Sequence, residues 1–439
     1  MYPASSGVAQ YFRTADPSPA VLHRESLSTR GLGSRTTTAM KGKHQPPRNG
    51  RPVWADISLD AIAANFRSIQ KWTGGRKVLA VVKADAYGHG GPPVAKALER
   101  AGAAAFGVTC VSEGAELREA GIRKPILVLT GWWDGESKYL FEYNLSPAVH
   151  RMDDLAALES SAAAHARKSR RSRLRHPFHL KVDTGMNRLG ISPADAEEFA
   201  RRYARCPHLK LAATFTHFAS SEDFSVHQTE QQEEVFAEAI GRLRRAGVDP
   251  GELHMANSAA VASRPSSWAH MVRPGALLYG YHQNYDPAER TETANRGIQL
   301  QPALSLRARI IGIRDVPSGQ GIGYNATFRT TRPSRIAVIP AGYADGVVRR
   351  LSGKGHVLVR GKEAPIVGVV SMDLTMLDVT EIPGVGLGDV VTIFGADGDR
   401  RISPFSVARE LGTVTSDLLC SLGKRVPRHY TPSGQPARR

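Results

Sequence analysis

At 439 residues the chain has room for two domains, one of them the size of a barrel. Its net charge of +17 invites a polyanionic partner, but the excess sits in three segments: eight Lys/Arg against two acids in residues 1–52, six against none in 165–176, and five against none in 424–439. These account for the whole charge, so the rest is neutral overall; neither nucleic acid nor a membrane surface is called for, and no run approaches the ~18 apolar residues of a membrane span.

Residues 1–52 are rich in Ser, Pro, Gly and Arg and lack the apolar run of a secretory signal, so they read as a disordered basic extension. Few acids and several arginines also suit an organellar transit peptide. Pro17, Pro19, Pro46 and Pro47 interrupt any long amphipathic helix there, and translation from Met40 would explain the segment equally well. Residues 53–58 form a first strand candidate. From Val78 onward short apolar runs alternate with segments of helical composition, the pattern of repeated βα units. Eight strands are expected at 78–84, 105–108, 125–130, 145–150, 178–184, 211–218, 252–258 and 272–279, with helices at 92–101, 113–120, 153–168, 193–204 and 228–246. This predicts an α/β chain whose residues 53–290 form a (β/α)8 TIM-type barrel, with the active site at the C-terminal ends of its strands. The basic run 165–176, between the fourth and fifth strands, reads as a solvated helix end or surface insertion. Beyond the polar stretch 284–299, strand-like runs at 304–316, 336–340, 357–359, 364–370 and 390–394 are separated by Gly, Pro and Asp, with one helix candidate at 403–412. A predominantly β domain over 291–439 is expected. Cys110, Cys206 and Cys420 are odd in number and far apart, which points to a reducing compartment and no metal centre.

The first barrel strand runs into Ala80-Val81-Val82-Lys83-Ala84-Asp85-Ala86-Tyr87-Gly88-His89-Gly90, an apolar run that delivers one lysine to a glycine-punctuated turn. A lysine at the end of a buried strand stands in partly dry surroundings, where losing its charge costs less and the free amine is a better nucleophile. It can hold a carbonyl cofactor as an imine. The segment resembles the pyridoxal phosphate (PLP) lysine motif of the alanine racemase family, and further segments resemble that family in order, over roughly residues 53–430.

The resemblance implies roles residue by residue. Racemisation needs a base on each face of the α-carbon; Lys83 would be one and Tyr324, in Gly321-Ile322-Gly323-Tyr324-Asn325-Ala326-Thr327-Phe328, the other, reaching the site from the partner subunit. A free tyrosine, with a pKa of ~10, is a poor base unless positive charge lowers it. The family's usual Ser-Tyr-Gly stands here as Gly323-Tyr324-Asn325, which touches the loop geometry rather than the base. Arg273, in Val272-Arg273-Pro274-Gly275, would meet the pyridine nitrogen; a guanidinium keeps its protons and so leaves that nitrogen unprotonated. His217, at the end of the sixth strand, would support Arg273. Ser258 at the end of the seventh strand, Gly275, Ala276 and the hydroxyls of Tyr87 and Tyr430 would hold the phosphate, in keeping with phosphate sites after strands seven and eight of such barrels. Arg188, within Lys181-Val182-Asp183-Thr184-Gly185-Met186-Asn187-Arg188, would bind the cofactor's phenolic oxygen and the substrate carboxylate, and Lys181 matches a position carbamylated in some members. In the β domain the N–H of Met372 would contact the carboxylate and Tyr343 would narrow the entrance. Packing alone discriminates against one methylene by only ~1–3 kcal/mol, so some serine turnover is expected.

The implied function is PLP-dependent interconversion of L-alanine and D-alanine by a cytoplasmic homodimer with shared active sites, supplying D-alanine for peptidoglycan and using no metal. Three alternatives stay open. A broad-specificity racemase would have a wider entrance around Tyr343 and Tyr430. A PLP-binding homeostasis protein has a similar barrel and lysine but no β domain. A barrel-type PLP decarboxylase would favour an acid facing the pyridine nitrogen, where this chain has Arg273.

Overall fold

The computed structural model describes residues 50–169, 175–282 and 298–431. The extension 1–49, the centre of the basic run (170–174), most of the expected boundary (283–297) and the end of the tail (432–439) lie outside the described residues. After β1 (Val53–Ser58) come eight short strands that pair in parallel: β2 (Lys77–Val81), β3 (Ala105–Val108), β4 (Ile126–Val128), β5 (Ser146–Val149), β6 (His176–Lys181), β7 (Leu209–Phe215), β8 (Glu252–His254) and β9 (Met271–Val272). β2 pairs with β3 and with β9, and the ladder continues strand by strand to β8. β8 and β9 meet through His270 N–H to Leu253 O at 3.1 Å and Arg273 N–H to Ala256 O at 2.9 Å, which closes the ring. The TIM-type barrel expected from the sequence is the fold observed.

Period-two alternation decides which side chains go where. Leu79, Val81, Ala105, Leu127, Ala148, Phe215 and Met271 fill the barrel, whereas Val78, Ala80, Phe106, Ile126, Phe178 and Leu180 join the larger core shared with the helices. His179 and Lys181 alternate with Phe178 and Leu180 and therefore point inward. Both meet the ring of Phe215, with Lys181 Nζ 5.7 Å from its centroid. The interior near the mouth is thus polar where the rest is apolar.

The expected strand ends overran. The ladder stops at Val81, Phe215 and His254 rather than at 84, 218 and 258, and the eighth strand is two residues long before a buried turn at Ala276–Tyr279. Lys83 and His217 consequently sit on the connections beyond their strands, and Ser258 opens the helix Ser258–Ser263. Apolar composition continues past the last ladder bond because these turns are themselves buried, and composition does not distinguish the two. The helix Leu59–Trp72 was not among those expected; it is capped by Ser58, whose Oγ accepts the Ala61 N–H at 3.1 Å, and it buries Ile62, Phe66 and Ile69.

β1 does not join the barrel. It pairs antiparallel with β10 (Leu304–Arg309) and parallel with Arg428–Thr431, so both ends of the described chain are stitched into one ten-stranded sheet. That sheet runs in order Gly312–Val316, Ser334–Ile339, Thr375–Asp378, Lys362–Val367, His356–Val359, Val390–Asp397, β10, β1, Arg428–Thr431, with Arg400–Ile402 beside Val390–Asp397. No helix among the described residues is long and apolar enough to cross a membrane.

Candidate active site

Lys83 begins a left-handed turn. Ala84, Asp85, Ala86 and Tyr87 have φ of 52°, 53°, 53° and 54°, and Gly88 closes the turn at 78°. Each of the four non-glycine residues costs roughly 1–2 kcal/mol in this conformation, so the turn persists only because its surroundings hold it. Both carboxylate oxygens of Glu113 accept backbone N–H groups, from Ala84 at 2.6 Å and Thr109 at 2.7 Å. Asp85 Oδ1 accepts the Gly91 N–H at 2.6 Å. His89 Nδ1 lies 3.1 and 2.9 Å from the Ala86 and Tyr87 carbonyls, and Arg428 Nε donates to Gly88 O at 3.2 Å. A Cβ at Gly88 would collide with the Leu419 carbonyl, so the C-terminal segment packs directly on the turn. The strain fixes where Lys83 leaves the backbone.

The turn also aims Tyr87. An added Cβ at Gly275 would stand 2.5 Å from the Tyr87 hydroxyl, and the Gly275 N–H donates to Ser258 Oγ at 2.8 Å. Ser258, Gly275 and Tyr87 therefore form one small polar cradle, with Ala276 next in the chain. Burial raises the Tyr87 pKa, so its hydroxyl stays a donor. The hydroxyl of Tyr430 lies instead against Gly90, at the end of the lysine turn.

Arg273 is buried at the bottom of the mouth. Nη1 donates to His254 O at 2.7 Å and to His254 Nδ1 at 3.0 Å; Nη2 donates to Thr216 O at 2.7 Å, Met255 O at 3.0 Å and His217 Nδ1 at 3.2 Å. All of these acceptors are neutral. Because Nδ1 accepts in both imidazoles, each carries its proton on Nε2, and His254 passes its own to His179 Nδ1 at 3.1 Å. Burial, then Arg273, holds His254 and His217 well below the usual histidine pKa, and His179 is pushed down to about 4 for the same reasons. Burial brings Arg273 down to about 9, still protonated at neutral pH.

His217 reveals the electrostatics of the mouth: after burial, the groups that disfavour its protonation are Arg273, Arg188, Lys181 and Lys83. Four basic side chains thus gather round one neutral ring: Lys181 from the end of β6, and Lys83, Arg188 and Arg273 from the connections after β2, β6 and β9. The Arg188 loop is tied by Asp183, which accepts the N–H groups of Gly185, Asn187 and Arg188, each at 3.0 Å. Gln232, a buried residue of the helix Gln228–Arg245 with no sequence signal of its own, donates to Thr184 Oγ1 at 3.1 Å and His217 O at 3.0 Å and accepts the Ala219 N–H at 2.9 Å. One amide therefore supports both the Arg188 and His217 loops.

Lys181 is held at about 8, by burial first and then by Arg188 and Arg273, so its amine is partly uncharged near neutrality, as carbamylation requires. The folded chain binds fewer protons here than the unfolded chain between pH 8 and 10.5, so this group makes stability rise with pH across that window. Below it the buried cation costs about 3 kcal/mol. Lys181→Met is expected to be the more stable protein at pH 7 and to lose this upward slope, read from urea midpoints at pH 7 and 9.5 under carbon dioxide-free gas. Parallel pH profiles would refute the assignment.

Tyr324, Tyr343 and Met372 are not drawn into the mouth by their own chain; they are 68%, 40% and 52% exposed on the β domain. Tyr324 projects between Gly323 at φ 70° and Asn325 at φ 58°. Asparagine tolerates that left-handed conformation, so the altered loop sequence remains compatible with a tight turn.

A family model described as the alanine racemase N-terminal domain matches residues 57–283, and one described as the C-terminal domain matches 303–430. The chain is 39% identical over 381 residues to the alanine racemase of Halothermothrix orenii, covering 87% of this chain and 97% of that one. It is 39% identical to that of Sorangium cellulosum over 391 residues, covering 87% and 99%. Among solved structures, alanine racemase from Bacillus anthracis with bound L-Ala-P superposes with a TM-score of 0.78 at 34% identity, covering 89% of this chain and 97% of that one. The biosynthetic alanine racemase of Pseudomonas aeruginosa gives 0.75 at 34%, covering 87% and 100%. Sequence and fold agree along both halves, and the chain belongs to the alanine racemase family of isomerases.

Proposed function

We propose that this chain interconverts L-alanine and D-alanine with pyridoxal 5'-phosphate at the barrel mouth, Lys83 and Tyr324 acting as the two bases. The observation that carries the reading is the convergence of Lys83, Lys181, Arg188 and Arg273 on one buried neutral imidazole, a surplus of positive charge suited to a phosphate-bearing cofactor and a carboxylate substrate. The residues fit that cofactor: Ser258, Gly275, Ala276 and Tyr87 for its phosphate, Arg273 for the pyridine nitrogen, Arg188 for the phenolic oxygen, with His217 behind Arg273 and Tyr430 bracing the lysine turn. Bound there, PLP supplies an electron sink for the α-carbanion.

The chain's own side chains supply the rest. Arg273 holds its protons and can only donate, so a nitrogen facing it stays unprotonated. Lys83 Nζ moves the α-proton on one face and Tyr324 Oη on the other. Arg188 and the Met372 N–H orient the carboxylate, and Tyr343 limits the side chain. The exposure of Tyr324, Tyr343 and Met372 supports a homodimer in which these residues complete the partner's mouth. Three free cysteines suit a cytoplasmic location, and D-alanine for peptidoglycan is the product's use. The C-terminal β domain, in which the turn joining the paired strands Gly321–Ile322 and Phe328–Arg329 carries Tyr324, counts against a homeostasis protein, and a guanidinium with only neutral partners counts against a decarboxylase.

The test is incubation with PLP and L-alanine in heavy water, with both enantiomers and their α-deuterium quantified by chiral chromatography and mass spectrometry. Deuterated D-alanine is expected; its absence despite bound PLP would reject the reading. Gly275→Ala, by driving a methyl toward the Tyr87 hydroxyl, is expected to weaken PLP binding about tenfold, the scale of one lost charge-assisted hydrogen bond. Unchanged affinity in a fluorescence titration would remove Gly275 from the cradle.

A further inference from the structure

The loops bearing Tyr343 and Met372 are exposed, yet they rest on a buried charge. Tyr343 N–H donates to Ser371 O at 3.0 Å and Ala344 N–H to Met372 O at 3.1 Å. Beneath them Asp345, with no exposed side-chain surface, accepts the Gly342 N–H at 3.0 Å, Arg425 Nε at 2.7 Å, Arg425 Nη2 at 3.0 Å and Arg51 Nη1 at 3.3 Å. Arg425 Nη2 reaches further, to Asp373 Oδ1 at 2.7 Å and Met372 O at 3.3 Å. Arg51 Nη2 donates to Pro340 O and Asp373 O, both at 2.6 Å. The backbones are in direct contact: a Cβ at Gly342 would collide with Ser371 and Met372, and one at Gly423 with Ala344.

A carboxylate is buried at this cost only where several donors compensate it. Here the compensation comes from two guanidiniums that each grip both loops, so the arrangement removes freedom from the Met372 peptide and from the Tyr343 backbone. We propose that Asp345 and Arg425 are positioning residues that hold the Met372 N–H and the Tyr343 ring at the spacing alanine requires. They set substrate affinity and side-chain discrimination, and leave the proton transfers at Lys83 alone. This rests on the reading above that the two loops meet substrate.

The test uses the PLP-loaded enzyme carrying Arg425→Met, Arg425→Lys or Tyr343→Ala. Arg425→Met is expected to raise KM for alanine about tenfold with kcat within about threefold, and to raise the preference for 2-aminobutyrate relative to alanine about tenfold. Arg425→Lys keeps the charge but not the fork, and should recover part of both losses while retaining the wild-type thermal midpoint. PLP absorbance should be the same in all. If Arg425→Met lowered kcat with KM and size preference unchanged, or if Arg425→Lys gave no partial recovery, the clamp would be rejected. Tyr343→Ala separates the two claims: no change in KM or size preference there rejects the loop assignment itself, whereas a change there without one in the Arg425 variants rejects only the clamp.

Discussion

Replacing Lys83 with alanine is expected to abolish racemisation in both directions, by at least about 10⁴-fold, the upper range for removal of a positioned acid–base group. The side chain is half-buried and the left-handed turn that presents it is held by Glu113, Asp85, His89 and Arg428. None of those contacts uses the lysine amine, so the variant should fold with an unchanged thermal midpoint. PLP should still titrate the Ser258–Gly275 cradle, now without covalent capture, and dissociate on dialysis. In heavy water neither enantiomer should gain α-deuterium above the rate without protein. Because Lys83 serves both as the cofactor's anchor and as one base, the two directions must fall together. Exchange surviving in one direction would mean that another residue serves that face.

The barrel was legible because its strands are buried on both faces and so write themselves as continuous apolar runs; every expected run overlaps a strand, the last by one residue. Their ends were not legible, for the same reason. Residues 272–279 read as one strand, but only Met271–Val272 is on the ladder, and the remainder is a buried turn whose Tyr279 hydroxyl donates to Val81 O at 2.9 Å. The helix Leu59–Trp72 does carry a signal, in the Ser58 cap and the spacing of Ile62, Phe66 and Ile69, but it precedes the first βα repeat, where the alternating pattern begins. The chemistry-bearing residues were reached through motifs: Lys83, Arg188, His217 and Arg273 do meet at one mouth. What supports them was invisible. Glu113 acts on Ala84 from 29 residues away, His254 on His179 from 75, Arg425 on Asp345 from 80. A helix glutamine such as Gln232 or a strand histidine such as His179 is an ordinary core residue until the fold brings its partners. Spacing along the chain carries no information about contacts made across a barrel.

Tyr324→Phe is expected to slow proton removal from L-alanine by about 10²- to 10³-fold while leaving exchange of the D enantiomer's α-proton, served by Lys83, much less affected. Only one oxygen is removed, from a ring 68% exposed on its own chain, so fold and thermal midpoint should not change. The exposure also bears on how the hydroxyl becomes a base. A phenol in water titrates near ~10 and needs neighbouring cations to work at neutral pH. Among the described residues no basic side chain hydrogen-bonds to Tyr324, whereas the mouth of the barrel gathers four basic side chains, with the Asp183 carboxylate acting on Lys181. Docking of Tyr324 at a partner's mouth would bring the base beside the cations that make it one. Deuterium wash-in measured separately from each enantiomer, in the wild type and in Tyr324→Phe, tests this directly. A loss confined to the L side supports the two-base division; equal losses on both sides would assign the tyrosine to orientation, not to proton transfer.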